Sequence, residues 1–132
     1  MKIEASVRST VDRHEVAVRT NENSTSLSVP PKSTGHGSGI NGGEFLMLAL
    51  ATCYCNDLYR EAARLGIRID SVEVTASAHF PGIGLAATDI QYWARVASPA
   101  DPATVAELLR QTDAVAEVHN TVRSGVAVSL VT

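Results

Sequence analysis

The chain is short of cysteines, of aromatic residues and of long hydrophobic runs, and each shortage excludes something. Two cysteines, Cys53 and Cys55, in 132 residues make neither a disulfide framework nor a four-cysteine zinc site. The longest apolar run, Phe45 to Ala51, is seven residues, against about 20 for a membrane span. Basic residues are the minority, 11 against 14 acidic, for a formal charge of −3. Neither nucleic acid nor an anionic membrane is therefore an expected partner. Met1–Arg8 has no apolar h-region, so no secretory signal is expected. The expected compartment is the cytoplasm, where thiols stay reduced.

Motifs are missing as well. No lysine follows the glycines as a phosphate loop requires, and no Gly-x-Ser-x-Gly elbow or catalytic carboxylate pair stands out. His14, His36, His79 and His119 are scattered, none at i, i+4 from another, so no metal site and no cofactor are expected. His36 and His119 stay open as minor candidates for a site role.

What is present is ordinary globular material, 45% apolar and 19% charged. It is enough for one domain over residues 1–132 that buries about two thirds of its unfolded surface. Residues 1–32 read as strands. Ile3–Arg8 and His14–Arg19 alternate in polarity across a turn at Ser9–Arg13, and Leu27–Val29 offers a third short strand before Pro30-Pro31. Residues 33–43 hold five of the nine glycines and read as a mobile connector or lid.

Residues 44–65 read as one helix about 33 Å long, closed by Gly66. Its first half, Phe45–Ala51, is apolar all round, which predicts burial on every side. Its second half, Asn56–Leu65, is amphipathic and is expected to reach solvent. From residue 67 to 132 the pattern predicts strands at 67–80 and 87–96, with the turn Pro81–Gly84 near the first. A helix follows from Pro102 to Gln111 behind the N-cap Asp101. A further helical stretch spans Ala114–Val122, and a last strand Val126–Val131. The class is α+β. So apolar a helix half is hard to cover with six short strands from one chain, so a homodimer is expected.

Helix residues advance by about 100°. Cys53 and Cys55 therefore lie about 200° apart and cannot bond to each other within the helix. Cys53 shares a face with Leu46, Leu50, Asp57 and Arg60; Cys55 shares one with Leu48, Ala51, Tyr59 and Ala62. A buried cysteine is most often a small hydrophobe. A reactive one needs a nearby cation or a helix N-terminus.

The run Gly42-Gly43-Glu44-Phe45-Leu46-Met47-Leu48-Ala49-Leu50-Ala51-Thr52-Cys53, continuing to Gly66-Ile67, resembles the central helix of the OsmC/Ohr family. The order of elements matches along nearly the whole chain. The resemblance implies an intertwined homodimer, with sheets wrapped around long central helices. It implies a thiol-dependent peroxidase of the oxidative stress response that reduces organic hydroperoxides. Cys53 falls on the peroxidatic position. Arg13, in the first turn, matches the family arginine, with Arg8 and Arg19 as weaker matches. The family glutamate falls at Gly43 by strict spacing, with Glu44 one position away. The second family cysteine, of a Cys-Pro-Val motif, is replaced here: Ala116-Glu117-Val118 stands in its place. A sulfenic acid formed on Cys53 would then need an external thiol as reductant. Two functions follow. One is a peroxidase in which Cys53 attacks, Arg13 activates it and Glu44 orients Arg13. The other is a non-peroxidase homodimer of the same fold that binds or transforms a small apolar ligand at its dimer interface.

Overall fold

The computed structural model describes all 132 residues and is α+β as expected, with antiparallel sheets and three helices. It divides into two compact units, Met1–Phe45 and Leu46–Thr132.

The first unit holds an antiparallel sheet of β1 (Ile3–Ser9), β2 (His14–Thr20) and β3 (Asn23–Leu27) in that order. Val7 faces Val16 and Ala5 faces Val18 across β1 and β2. The turn between them closes where the sequence places it. Thr10 N–H donates to the Arg13 carbonyl at 2.8 Å, and Arg13 N–H donates to Thr10 Oγ1 at 3.1 Å. The third strand comes earlier than Leu27–Val29. Asn21 takes a positive φ of 51° and turns the chain straight back, so the polar run Asn23–Ser26 makes the ladder. Such an edge strand lacks the apolar alternation that signals strands elsewhere. The Gly-rich segment is closed rather than formless. Gly39 N–H donates to the Pro30 carbonyl at 2.7 Å, and Lys32 N–H to the Gly37 carbonyl at 3.0 Å. A Cβ at Gly39 would sit 2.9 Å from the Pro30 oxygen, so only glycine permits this approach.

Helix α1 (Gly42–Leu65) begins in a capping box. Asn41 Oδ1 accepts from Glu44 N–H at 2.8 Å, and Glu44 Oε1 accepts from Asn41 N–H at 3.1 Å. Gly66, at φ 69°, ends it. The amphipathic half of α1 reaches solvent as expected, through Tyr59, Arg60 and Arg64 among others, but the apolar half is not buried on every side. Leu48 and Ala49 in the apolar half are exposed, Leu48 by 56%. The buried stripe is Leu50, Tyr54, Asp57, Leu58, Glu61 and Ala62, mostly in the amphipathic half. That stripe has something to pack on: β4 (Ser71–His79), β5 (Thr88–Ala97) and α2 (Pro102–Val115), all in the second unit.

In the antiparallel pair β4–β5, Val72 faces Val96, Val74 faces Ala94 and Ala76 faces Tyr92. Period-2 alternation puts these six on one face. Most of them pack on the core of Tyr54, Leu58, Ala62, Leu108 and Ala116. Leu58 and Leu108 are wholly buried, worth about 1.5–3 kcal/mol each. Asp101 Oδ1 caps α2 by accepting from Thr104 N–H at 2.8 Å. The later helical stretch is α3 (Glu117–Ser124), ended by Gly125 at φ 61°. The expected last strand does not form. Val126, Val128, Leu130 and Val131 stand exposed outside any ladder, since a strand exists only against a partner edge. No helix is long and apolar enough to cross a membrane.

Candidate active site

Cys53 and Cys55 are free thiols, each half-buried. Only Cys53 enters a network. One turn further along α1, Asp57 presents its carboxylate, and the Cys53 thiol donates to Oδ2 at 3.4 Å. Glu117, first residue of α3, brings Oε2 to 3.9 Å from the same sulfur. Arg60, three residues beyond Asp57, ties both acids together. Its Nη1 lies 3.0 Å from Asp57 Oδ1 and 3.2 Å from Glu117 Oε1. Arg60 Nε also reaches Glu61 at 3.3 Å, and Arg64 lies 3.0 Å from that carboxylate. The buried acids of α1, Asp57 and Glu61, are therefore both compensated by arginines whose heads reach solvent.

Sulfur, Asp57 and Glu117 offer ligand atoms within 4.8 Å of one another. This is a donor set that could hold a cation, but the Arg60 guanidinium already supplies positive charge to both carboxylates. Burial pushes the Cys53 thiol above its ordinary value, and the neighbouring carboxylates of Asp57 and Glu117 push the same way. The backbone N–H of Val118, in the first turn of α3, opposes them. Burial also raises Asp57, and Glu117 adds to the rise against the Cys53 hydrogen bond and Arg60. The resting site is thus a protonated thiol beside a carboxylate of raised basicity.

Arg13, Arg19, His36 and Glu44 belong to the first unit. Arg13 sits in the β1–β2 turn, its side chain largely exposed and 3.8 Å from Glu15. Arg19 pairs with Glu4. Glu44 is the exposed partner in the capping box. His36 lies exposed in the Gly-rich turn. Ala116, which replaces the second family cysteine, is fully buried as N-cap of α3, and Cys53 packs on the core cluster that contains it.

A second arrangement adjoins this one. Tyr54, Tyr92 and His119 form an aromatic triad with ring centroids 4.4–5.7 Å apart. The Tyr54 hydroxyl donates to the Leu109 carbonyl at 2.7 Å, and Tyr92 donates to Asp113. Burial carries Tyr54 up to about 12, so both phenols remain donors. Asp113 also binds Arg123 at 2.5 Å.

Asp57 and Arg60 were visible in the sequence as neighbours of Cys53 on one helix face. Glu117 was not, because nothing local signals a contact made across 64 positions.

The arrangement has relatives. The family pattern described as OsmC-like protein matches residues 35–131, which include Cys53, Asp57, Arg60 and Glu117. The structure resembles an OsmC-like protein from Mycoplasma pneumoniae at a TM-score of 0.69 and 19% identity, covering 93% of this chain and 88% of that one. It resembles an organic hydroperoxide resistance protein from Elizabethkingia anophelis at 0.63 and 15% identity, covering 93% and 89%. A third, an organic hydroperoxide resistance protein OsmC from Legionella pneumophila, gives 0.62 and 16%, covering 98% and 95%. No curated protein matches the chain. The match across most of the sequence, with the same fold over nearly all of it, shows that the chain belongs to the OsmC family.

Proposed function

We propose that the chain is a one-cysteine thiol peroxidase that reduces organic hydroperoxides. The observation that carries this is the setting of Cys53, half-buried and hydrogen-bonded to Asp57. In the reaction, Cys53 sulfur attacks the distal oxygen of ROOH and the O–O bond breaks. The thiol proton passes to Asp57 and on to the departing alkoxide, leaving Cys53–SOH and ROH. An external thiol then forms a mixed disulfide and releases water. A second molecule of that thiol frees Cys53 and leaves as a disulfide. Arg60 keeps two carboxylates tolerable beside the sulfur. Arg13 and Glu44 keep the roles of activating arginine and orienting acid that the sequence resemblance implies, and comparing Arg13→Ala with Arg60→Ala separates the two cations. The chemistry needs reduced thiols, which favours the cytoplasm.

A homodimer belongs to the same reading. Leu48 on α1 and the alternating tail Val126, Val128 and Leu130 are apolar and exposed, which suits a second copy that supplies a sheet edge and a helix face. Light scattering should give twice the 14.0 kDa chain mass.

The test is cumene hydroperoxide with excess dihydrolipoamide, beside Cys53→Ser. Peroxide loss that vanishes in the variant supports the reading; equal loss in both sinks it. A second reading, a non-peroxidase homodimer that binds a small apolar ligand at its interface, is favoured by the raised thiol and by alanine at position 116.

A further inference from the structure

With alanine at position 116, any thiol that resolves an oxidised Cys53 must come from outside, and Glu117 stands at its approach. Glu117 Oε2 lies 3.9 Å from the Cys53 sulfur. The Glu117 side chain is 67% exposed, whereas that of Asp57 is only 7% exposed. Of the two carboxylates at the sulfur, Glu117 is therefore the one that meets solvent. An S–S bond is about 2.05 Å long, so a sulfur that bonds to Cys53 comes within about 6 Å of this carboxylate from whatever side it arrives.

The charges of this network do not cancel. Arg60 pairs with three carboxylates, Asp57, Glu61 and Glu117. The other guanidinium of the network, Arg64, pairs with Glu61. Two cations against three anions leave one negative charge, and Glu117 carries it at the solvent side of the sulfur. The backbone amide of Glu117 itself holds this carboxyl below its ordinary value, with Asp57 and Arg60 adding to the effect against burial. It is therefore ionised near pH 7. A charged thiol that approaches Cys53 meets this field before it reacts.

We propose that Glu117 selects the reductant of Cys53, favouring thiols that carry an ammonium group near their sulfur over thiols that carry a carboxylate. The proposal rests on the reading that an external thiol resolves Cys53–SOH. In that step RSH attacks the Cys53 sulfur, an S–S bond forms, the S–O bond breaks, and the hydroxyl leaves as water with the thiol proton. One unit charge at about 6 Å in a water-like medium changes a rate about threefold. A cationic thiol gains that factor and an anionic one loses it, so the two classes differ about tenfold at low salt, and less as salt screens the field.

The test places a neutral pyridyl disulfide on Cys53, made with dipyridyl disulfide in a Cys55→Ser background, so that no peroxide is involved. Cysteamine, mercaptoethanol and mercaptopropionate then attack the same sulfur and release thiopyridone, whose absorbance gives each rate at pH 7 and low salt. The reactivity of each thiol cancels in the ratio of Glu117→Gln to its parent. Relative to mercaptoethanol, the variant should slow cysteamine about threefold and speed mercaptopropionate about threefold. In the parent alone, the preference for cysteamine should exceed that of free dipyridyl disulfide and fade as salt is added; that measurement needs no variant. Equal effects on all three thiols, a parent no more selective than the free disulfide, or a preference for mercaptopropionate, drawn by Arg60, would overturn the proposal. The expected charge order in a protein inert toward cumene hydroperoxide supports the selection at Cys53 and removes only the peroxidase reading.

Discussion

The two halves of α1 show that apolarity and burial need not run together. The half from Phe45 to Ala51 is the most hydrophobic stretch of the chain, yet Leu48 is more than half exposed. The half from Asn56 to Leu65 carries four charges, yet it supplies Leu58, Ala62 and two buried acids to the interior. Hydrophobicity states what a segment would gain from a partner, whereas burial requires that the partner be there. In the second half it is: β4, β5 and α2 pack on the stripe, and arginines one turn away neutralise Asp57 and Glu61. In the first half the exposed Leu48 side is left for another surface.

The largest effect that could break this comparison is on stability. Leu58→Ala removes a wholly buried side chain from the core and is expected to destabilise by about 2–5 kcal/mol. Leu48→Ala, measured by urea unfolding at a concentration where the protein is monomeric, should stay within about 0.5 kcal/mol. Equal losses would mean that the two halves are equally buried in solution. At higher concentration Leu48→Glu should instead halve the mass seen by light scattering.

Next comes the chemistry of the buried half. Cys53 is raised by burial and then by its carboxylates, so its alkylation by iodoacetamide should climb about tenfold per pH unit through neutrality, as expected of a thiol still below its pKa. Asp57→Asn removes a negative neighbour, lowers the thiol toward its ordinary value and should speed alkylation at pH 7. Peroxide reduction should fall at least tenfold in the same variant, because the proton acceptor is gone. The two readouts move in opposite directions if Asp57 is the base. If both rise together, Asp57 only suppresses the thiolate.

The start of α3 offers a gain of function. Ala116→Cys places a thiol at the N-cap beside Glu117, whose carboxylate already reaches Cys53. After peroxide, intact mass and peptide mapping should show a disulfide between positions 53 and 116, and the need for excess small thiol should drop. Oxidation that stops at sulfenic or sulfinic acid on Cys53 would mean that α3 does not bring position 116 within disulfide reach.

How far the site was legible follows from the range of each interaction. The helix, its Gly66 cap, the Asp101 cap and the turn at Arg13 are set by neighbours in sequence, and their residues announce them. The face shared by Cys53, Asp57 and Arg60 follows from helical spacing alone. Glu117 and the aromatic partners of His119 come from other elements, and no local pattern carries that pairing. The open Leu48 side of α1 was not legible, because hydropathy does not say which side finds a partner within one chain. The tail after Gly125 was expected to be a strand for a similar reason: alternation marks a capacity to pair, which this chain alone does not fulfil.

The smallest effect separates two roles for Glu44, at the start of α1. The sequence resemblance implies an acid that orients arginine, while the structure gives the carboxylate a local task in closing the capping box on Asn41. Asn41→Ala removes the stronger partner of the box and should cost about 1 kcal/mol. Glu44→Ala should cost less, since the Asn41 side chain still accepts from the backbone of residue 44. Glu44→Gln retains an oxygen that can accept from Asn41 N–H, so its melting temperature should match the parent. If capping is the whole role, the glutamine variant also keeps the parent rate of peroxide loss at saturating thiol. If the glutamine variant melts like the parent but is slow, the charge of Glu44 acts on an arginine, and the start of α1 belongs to the active site after all.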